Sequence, residues 1–206
     1  MKEISAAREN EDSGQEYFKK LFDSCSSLME LIVNIPQPVI AEVDGVATAA
    51  GCQLVASCDL AIASHESKFA TPGVNIGLFC STPMVALSRN VNKKNAMEML
   101  LTGDFINAEK AKEIGLINNM VQKEELTFEV NKLAEKIASK SSMTVSIGKK
   151  AFYAQAEMDL SKAYKYTSKT MKDNVLKYDA KEGINAFIEK RSPHWKDEWF
   201  EFIHPF

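Results

Sequence analysis

The chain is poor in the groups that most metal and redox sites depend on. It has three histidines and four cysteines in 206 residues. Cys25, Cys52, Cys58 and Cys80 sit among apolar neighbours with no CxxC pair, and His65, His194 and His204 show no ligand spacing. That argues against a zinc site and for four buried, reduced thiols. No apolar run approaches the ~20 residues of a membrane-spanning helix, so no membrane span is expected. Positive charge is not in excess either. Lys and Arg number 25 against 28 Asp and Glu, a formal net charge of -3, which leaves no footprint for nucleic acid or an anionic membrane. The opening MKEISAARENEDSG has four acids and two bases, unlike a signal peptide or an Arg-rich transit peptide. No internal repeat or low-complexity tract appears.

What is present is a chain 45% apolar, enough for one good core. Its most distinctive stretch runs from Pro36 to Pro83, PQPVIAEVDGVATAAGCQLVASCDLAIASHESKFATPGVNIGLFCSTP. Glycine, alanine, cysteine and serine crowd between short apolar runs there, a composition that lets backbone approach backbone or a ligand.

Residues 1–14 are polar and hold no periodic pattern, so they read as an N-terminal arm. From Gln15 to Asn34, apolar residues recur at three- and four-residue steps, the face of an amphipathic helix, with Asp12 or Ser13 as its cap. The helix should stop before Pro36. Residues 38–43 read as a buried strand ended by Asp44-Gly45. A short helix over 50–58 and strands at 60–63 and 68–70 follow, an α/β layout with helices covering a sheet. Beyond Pro83, which suits a first helical position, the chain turns helical. Helices are expected at 83–91, 93–102, 107–114, 124–140, 143–157, 159–178 and 181–190, with one strand at 116–122. This divides the chain into the arm, a core over 15–123 and a helical part over 124–206. The tail holds Trp195, Trp199, Phe200 and Phe202, which calls for a docked segment or subunit contact.

The chemistry centres on Ala49-Ala50-Gly51-Cys52 at the start of the short helix. Unpaired N–H groups at a helix N-terminus, aided by its dipole, form a donor site for a carbonyl oxygen or an anion. Small residues keep that approach open. The same residues also serve close helix–sheet packing, and taken alone AAG favours packing.

The longer pattern decides more. DGVATAAGCQLVASCDLAIAS followed by FATPGVNIGLFCSTP resembles the crotonase (enoyl-CoA hydratase/isomerase) superfamily. That family shows a strand, Asn/Asp-Gly, a small-residue loop, GGGC with a polar residue, Cys-Asp, then F-x-x-P. AMEMLLTGDFINAEKAKEIGLINNMV and EGINAFIEKRSPHW resemble its later segments, so the likeness covers about residues 15–195. It implies a spiral of ββα units with a helical C-terminal part, assembled as trimers or hexamers. It also implies acyl-CoA as the ligand, with no cofactor beyond that thioester, and a place in mitochondrial fatty acid and lipid metabolism.

Carried over residue by residue, the backbone N–H of Ala50 becomes one of two donors to the thioester oxygen, provided the backbone there suits alanine. The other donor belongs to an earlier loop, which implies that the core here is N-terminally incomplete. The family's two water-activating glutamates fall on Gln53 and Gly73. An amide is not a useful base near neutral pH and glycine has no side chain, so ordinary hydration is not expected. Lys190 matches a basic contact to the CoA nucleotide; a helix-end lysine favoured by the dipole is the simpler alternative. No substitute base stands out. Residues 74–83 hold no acid, and Asn75 is polar but not a base. His65 reads as a solvated loop residue, Asp59 as a cap or turn, Cys80 as a buried thiol. The expected function is an acyl-CoA-binding protein with little hydratase activity. The alternatives are a lyase or isomerase using water placed by Gln53, and a non-catalytic interaction subunit.

Overall fold

A computed structural model describes residues 2–198 of the chain. Its described residues separate into two compact units, one made of the residues up to 33 together with 39–130, the other of 34–38 and those from 131 onward.

The first unit opens on a short helix, α1 (Lys2–Ala7), in which Ala7 is buried. The polar arm expected at 1–14 therefore carries a helical turn that no apolar periodicity announces. Helix α2 (Gln15–Asn34) begins where the sequence places it. Asp12 caps it, its carboxylate accepting from the N–H groups of Gly14 (2.9 Å) and Glu16 (3.0 Å). Those bonds hold its carboxyl below the usual range. Ser13 is not the cap. It takes a positive φ of 53° at the turn.

Strands β1 (Ile40–Val43) and β2 (Val46–Thr48) are joined through Gly45, whose φ of 97° only glycine adopts readily. Helix α3 (Ala50–Ser57) follows, then β3 (Leu60–Ser64) and β4 (Lys68–Ala70). β3 lies parallel to β1, with Ile40 opposite Leu60, and β4 lies parallel to β2, with Val46 opposite Lys68. Each ββ pair thus gives one strand to each of two sheets, and α3 is the crossover between successive pairs. This is the ββα unit that the resemblance implies.

Further along come α4 (Pro83–Asn90), α5 (Lys93–Thr102), the two-residue β5 (Ile106–Asn107), α6 (Ala108–Glu113) and β6 (Asn119–Val121). They complete the sheet orders β1-β3-β6 and β2-β4-β5, with β5 antiparallel to β4. The expected strand over 116–122 is shorter, because Asn118 turns in to accept the Ala61 N–H at 2.7 Å. Val43, Ala47, Cys52, Val55, Phe69 and Leu87 share one core. Phe69 is wholly buried, and truncating such a ring costs about 3–5 kcal/mol. Two buried serines of this core are paired. Ser67 Oγ donates to the Val43 carbonyl at 2.9 Å and lies 2.9 Å from Ser64 Oγ, tying the β1–β2 turn to the β3–β4 turn.

Helix α7 (Leu126–Ala138) runs from the first unit into the second. The second unit is otherwise built of α8 (Ser142–Ala156), α9 (Leu160–Val175) and α10 (Tyr178–Glu189), with α9 packed on both α8 and α10. Buried Asp179 organises it. Its carboxylate accepts from Ser141 Oγ (2.6 Å), the cap of α8, and from the N–H groups of Lys196 (2.8 Å) and Asp197 (3.2 Å). Trp195 is docked as its aromaticity requires. Its indole N–H donates to the Ser139 carbonyl at 2.9 Å, and its ring lies over Gly183, where a Cβ would meet it at 3.2 Å. Trp199, Phe200 and Phe202 lie outside the described residues.

Candidate functional site

The site is built at the junction of β2 and α3. Ala49 is fixed there by its N–H, which donates to the Ala70 carbonyl on β4 at 3.0 Å. It holds φ 49° and ψ -113°, and no side chain caps the helix it precedes. A positive φ with that ψ suits glycine. In a residue bearing a Cβ it costs of order 1–3 kcal/mol and persists only where the surroundings impose it. The condition for an alanine-based donor is therefore met at Ala50, which is helical, while the strain falls on Ala49.

The Ala50 N–H, at the first helical position, has no hydrogen-bond partner among the described residues. Ala50 is exposed. A Cβ added at Gly51 would meet nothing within 4 Å. Close packing accounts for Ala49 and Cys52, which belong to the core, but not for Ala50 and Gly51. Those two leave a free donor facing open space.

One turn on, Gln53 is 4% exposed. Its Oε1 accepts a weak thiol contact from Cys25 on α2, at 3.5 Å, and its carbonyl accepts from Ser57 Oγ at 2.8 Å. Its side-chain carbonyl is turned to the protein interior. Gly73 lies in the 3-10 segment Pro72–Ile76 that follows β4. Its backbone needs no glycine, since its φ is not positive, but its neighbours do. A Cβ there would stand 2.6 Å from the Leu78 carbonyl oxygen and 2.9 Å from Cys80 Sγ. The Leu78 N–H donates back to the Gly73 carbonyl at 2.9 Å, which holds the loop shut. Cys80 and Cys52 are both buried, and burial with the Cys80 thiol nearby pushes the Cys52 thiol up to about 12. A thiol with that pKa is almost wholly protonated at neutral pH and a poor nucleophile.

The other sequence candidates fall elsewhere. Asp59 Oδ2 accepts the Val39 N–H at 2.7 Å, a turn anchor at the entry to β1. His65 and Asn75 are exposed. Lys190 lies in the second unit as the left-handed C-cap of α10, with φ 54°, and is exposed. Two features escaped the sequence. One is the strain at Ala49; the other is Thr71, directly after β4, fully buried with a hydroxyl that has no partner among the described residues. Among those residues no three His, Cys, Asp or Glu side chains gather to hold a metal ion.

A family model described as enoyl-CoA hydratase/isomerase matches residues 3–198. Mitochondrial enoyl-CoA hydratase domain-containing protein 3 of Rattus norvegicus is 52% identical over 195 residues, 95% of this chain and 63% of the relative. The crystal structure of human enoyl-CoA hydratase domain-containing protein 3 is 53% identical, with a TM-score of 0.87, over 91% of this chain and 74% of that one. An enoyl-CoA hydratase of Mycobacterium smegmatis is 50% identical, with a TM-score of 0.86, over 88% of this chain and 70% of that one. The chain thus spans a little under two thirds of the rat relative's length. Its ββα core, its small-residue helix start and the match over nearly all of its length place it together: the chain belongs to the enoyl-CoA hydratase/isomerase family, within the crotonase superfamily.

Proposed function

We propose that the chain binds acyl-CoA thioesters at the N-terminus of α3 and does not hydrate them by the paired-glutamate route. The observation that carries this reading is the Ala50 N–H, free and unobstructed beside Gly51 and held there by a strained Ala49. Such a donor favours negative charge on a carbonyl oxygen, the more so at a helix N-terminus. Water activation needs a base within hydrogen-bond reach. Gln53 offers an amide whose oxygen already faces Cys25, and Gly73 has no room for a side chain. That engagement also weighs against turnover with water placed by Gln53.

Lys190, exposed at the end of α10, is the proposed basic contact to the CoA nucleotide. Leu160, Phe187 and Ile188, each more than 70% exposed on α9 and α10, are the proposed faces of a homotrimer or hexamer, since apolar area of that kind marks association surfaces. The relatives' names say mitochondrial, and fatty acid metabolism in that compartment is the proposed setting.

Isothermal titration of the full chain with hexanoyl-CoA and with free CoA tests the reading. Saturable binding of hexanoyl-CoA, at least about tenfold tighter than CoA, is expected if the acyl thioester supplies roughly one good hydrogen bond and some apolar burial. Equal affinity for the two, or none, overturns it.

A further inference from the structure

The side-chain amide of Gln53 is half used. Its Oε1 accepts from the Cys25 thiol at 3.5 Å, while Nε2 has no hydrogen-bond partner among the described residues. Gln53 is 4% exposed, and an unpaired amide at that depth carries a desolvation cost unless something meets it. Among the described residues two side-chain atoms are both unpaired and sealed from solvent, Thr71 Oγ1 and Asn174 Nδ2. Gln53 Nε2 is not one of them. It therefore keeps an opening to solvent at the tip of an otherwise buried side chain.

Helix geometry places that opening. Gln53 and Ala50 stand three positions apart on α3 and so share a face. Cα–Cβ bonds tilt toward the N-terminus of a helix, so the Gln53 side chain leans back over the first turn, where the Ala50 N–H is free. Cys25, on α2, holds the amide oxygen on the inner side. Oxygen and nitrogen occupy the two branches of one planar amide, so the NH2 group is turned away from Cys25, toward the exposed start of α3. Ala50 is exposed, and a Cβ on Gly51 would meet nothing within 4 Å. One main-chain donor and one side-chain donor thus serve the same turn.

We infer that Gln53 selects 3-oxoacyl-CoA thioesters, its Nε2–H donating to the C3 oxygen while the Ala50 N–H donates to the thioester oxygen. This rests on the acyl-thioester reading above and deepens it. The rise from Ala50 to Gln53 is about 4.5 Å, a span that the two oxygens of a 1,3-dicarbonyl can bridge. An acyl group covering the opening takes solvent away from Nε2. A plain acyl chain then leaves the donor unpaired, whereas a 3-oxo group pairs it, and a site of this kind rejects the analogue that lacks the acceptor. The amide oxygen is already engaged by Cys25, so an oxygen that only accepts suits the site better than a hydroxyl, whose hydrogen would go unpaired.

The experiment measures the affinity of wild type and Gln53→Met for 3-oxohexanoyl-CoA, hexanoyl-CoA and free CoA, with thermal melting of each protein without ligand. Methionine keeps the length of the side chain and removes both polar atoms; Gln53→Leu takes its place if melting shows Gln53→Met to be unfolded. Wild type is expected to bind 3-oxohexanoyl-CoA about tenfold more tightly than hexanoyl-CoA, the worth of one hydrogen bond. The variant should bind hexanoyl-CoA at least as tightly as wild type and prefer neither thioester by more than about twofold. Equal binding of the two thioesters by wild type overturns the proposal and needs no variant. A variant that keeps the preference, whether or not it binds both more weakly, also overturns it and assigns the selection to another group. If neither thioester binds wild type better than free CoA, the acyl-thioester reading falls and this inference with it. Hexanoyl-CoA bound more tightly than CoA, with no gain from the 3-oxo group, leaves that reading standing and overturns this one.

Discussion

Ala49 and Gly73 carry opposite mismatches between residue and backbone. Ala49 sits at φ 49°, where the chain favours glycine, and has a methyl group instead. Gly73 sits at an ordinary φ, where any residue is accepted by the backbone, yet the Leu78 carbonyl and Cys80 thiol leave no space for one. The first mismatch is strain kept at the entrance to α3, next to a free N–H. The second is a loop with no room for a side chain at the position that the resemblance pairs with a carboxylate. On the proposed reading, the donor side of the site keeps its geometry at a cost in stability, and the position proposed for water handling has no room for a side chain.

The largest expected effect is at Gly73. A side chain there forces backbone, not a flexible tip, to move, because the nearest atom is the Leu78 oxygen. Gly73→Glu should destabilise the fold by about 3 kcal/mol, at the upper end of overpacking costs, as read by urea unfolding. A Gly73→Glu protein as stable as wild type would mean that the loop opens readily and that the two positions differ less than the contrast holds.

Gln53→Glu probes the first position. A carboxylate at a site 4% exposed is disfavoured by desolvation, so its folded pKa should rise above the unfolded value near 4.3. The native state then binds more protons than the unfolded one, and stability falls as pH rises above the unfolded pKa. Gln53→Glu should cost about 2 kcal/mol at pH 7 and less at pH 5, measured by urea unfolding at both values. A pH-independent loss would point to lost packing in place of a buried charge.

The smallest effect is at Ala49. Glycine there releases strain of about 1–3 kcal/mol and forfeits about 0.5–1 kcal/mol of unfolded-state restriction. Ala49→Gly should therefore raise stability by about 1 kcal/mol, while the bulkier Ala49→Val lowers it. If Ala49→Gly destabilises, the positive φ stores no strain and the two positions are not opposites.

Much of this was legible in the sequence. The apolar periodicity of Gln15–Asn34 and the stop before Pro36 gave a helix where it forms, and Gln53 and Gly73 could be read against the family pattern. The unread parts have physical reasons. β5 is two residues long and exists through pairing with Lys68 and Phe69, which leaves no local period. α1 has too few apolar positions to show one. The strain at Ala49 is imposed by the Ala70 carbonyl, a partner 21 positions on, and an alanine in a small-residue run looks relaxed. Thr71 gives no signal at all, because a missing hydrogen bond is a property of the surroundings. That Gly73 is glycine was visible; that nothing else fits was not.

The central claim, a thioester cradle without water activation, is tested most directly by mixing excess protein with crotonyl-CoA and following the enoyl-thioester absorption band in time. The account predicts a prompt shift of that band to longer wavelength, as the donors at the start of α3 polarise the carbonyl, and then a band that persists. Decay of the band to the saturated 3-hydroxyacyl product at a rate above the protein-free control would contradict it.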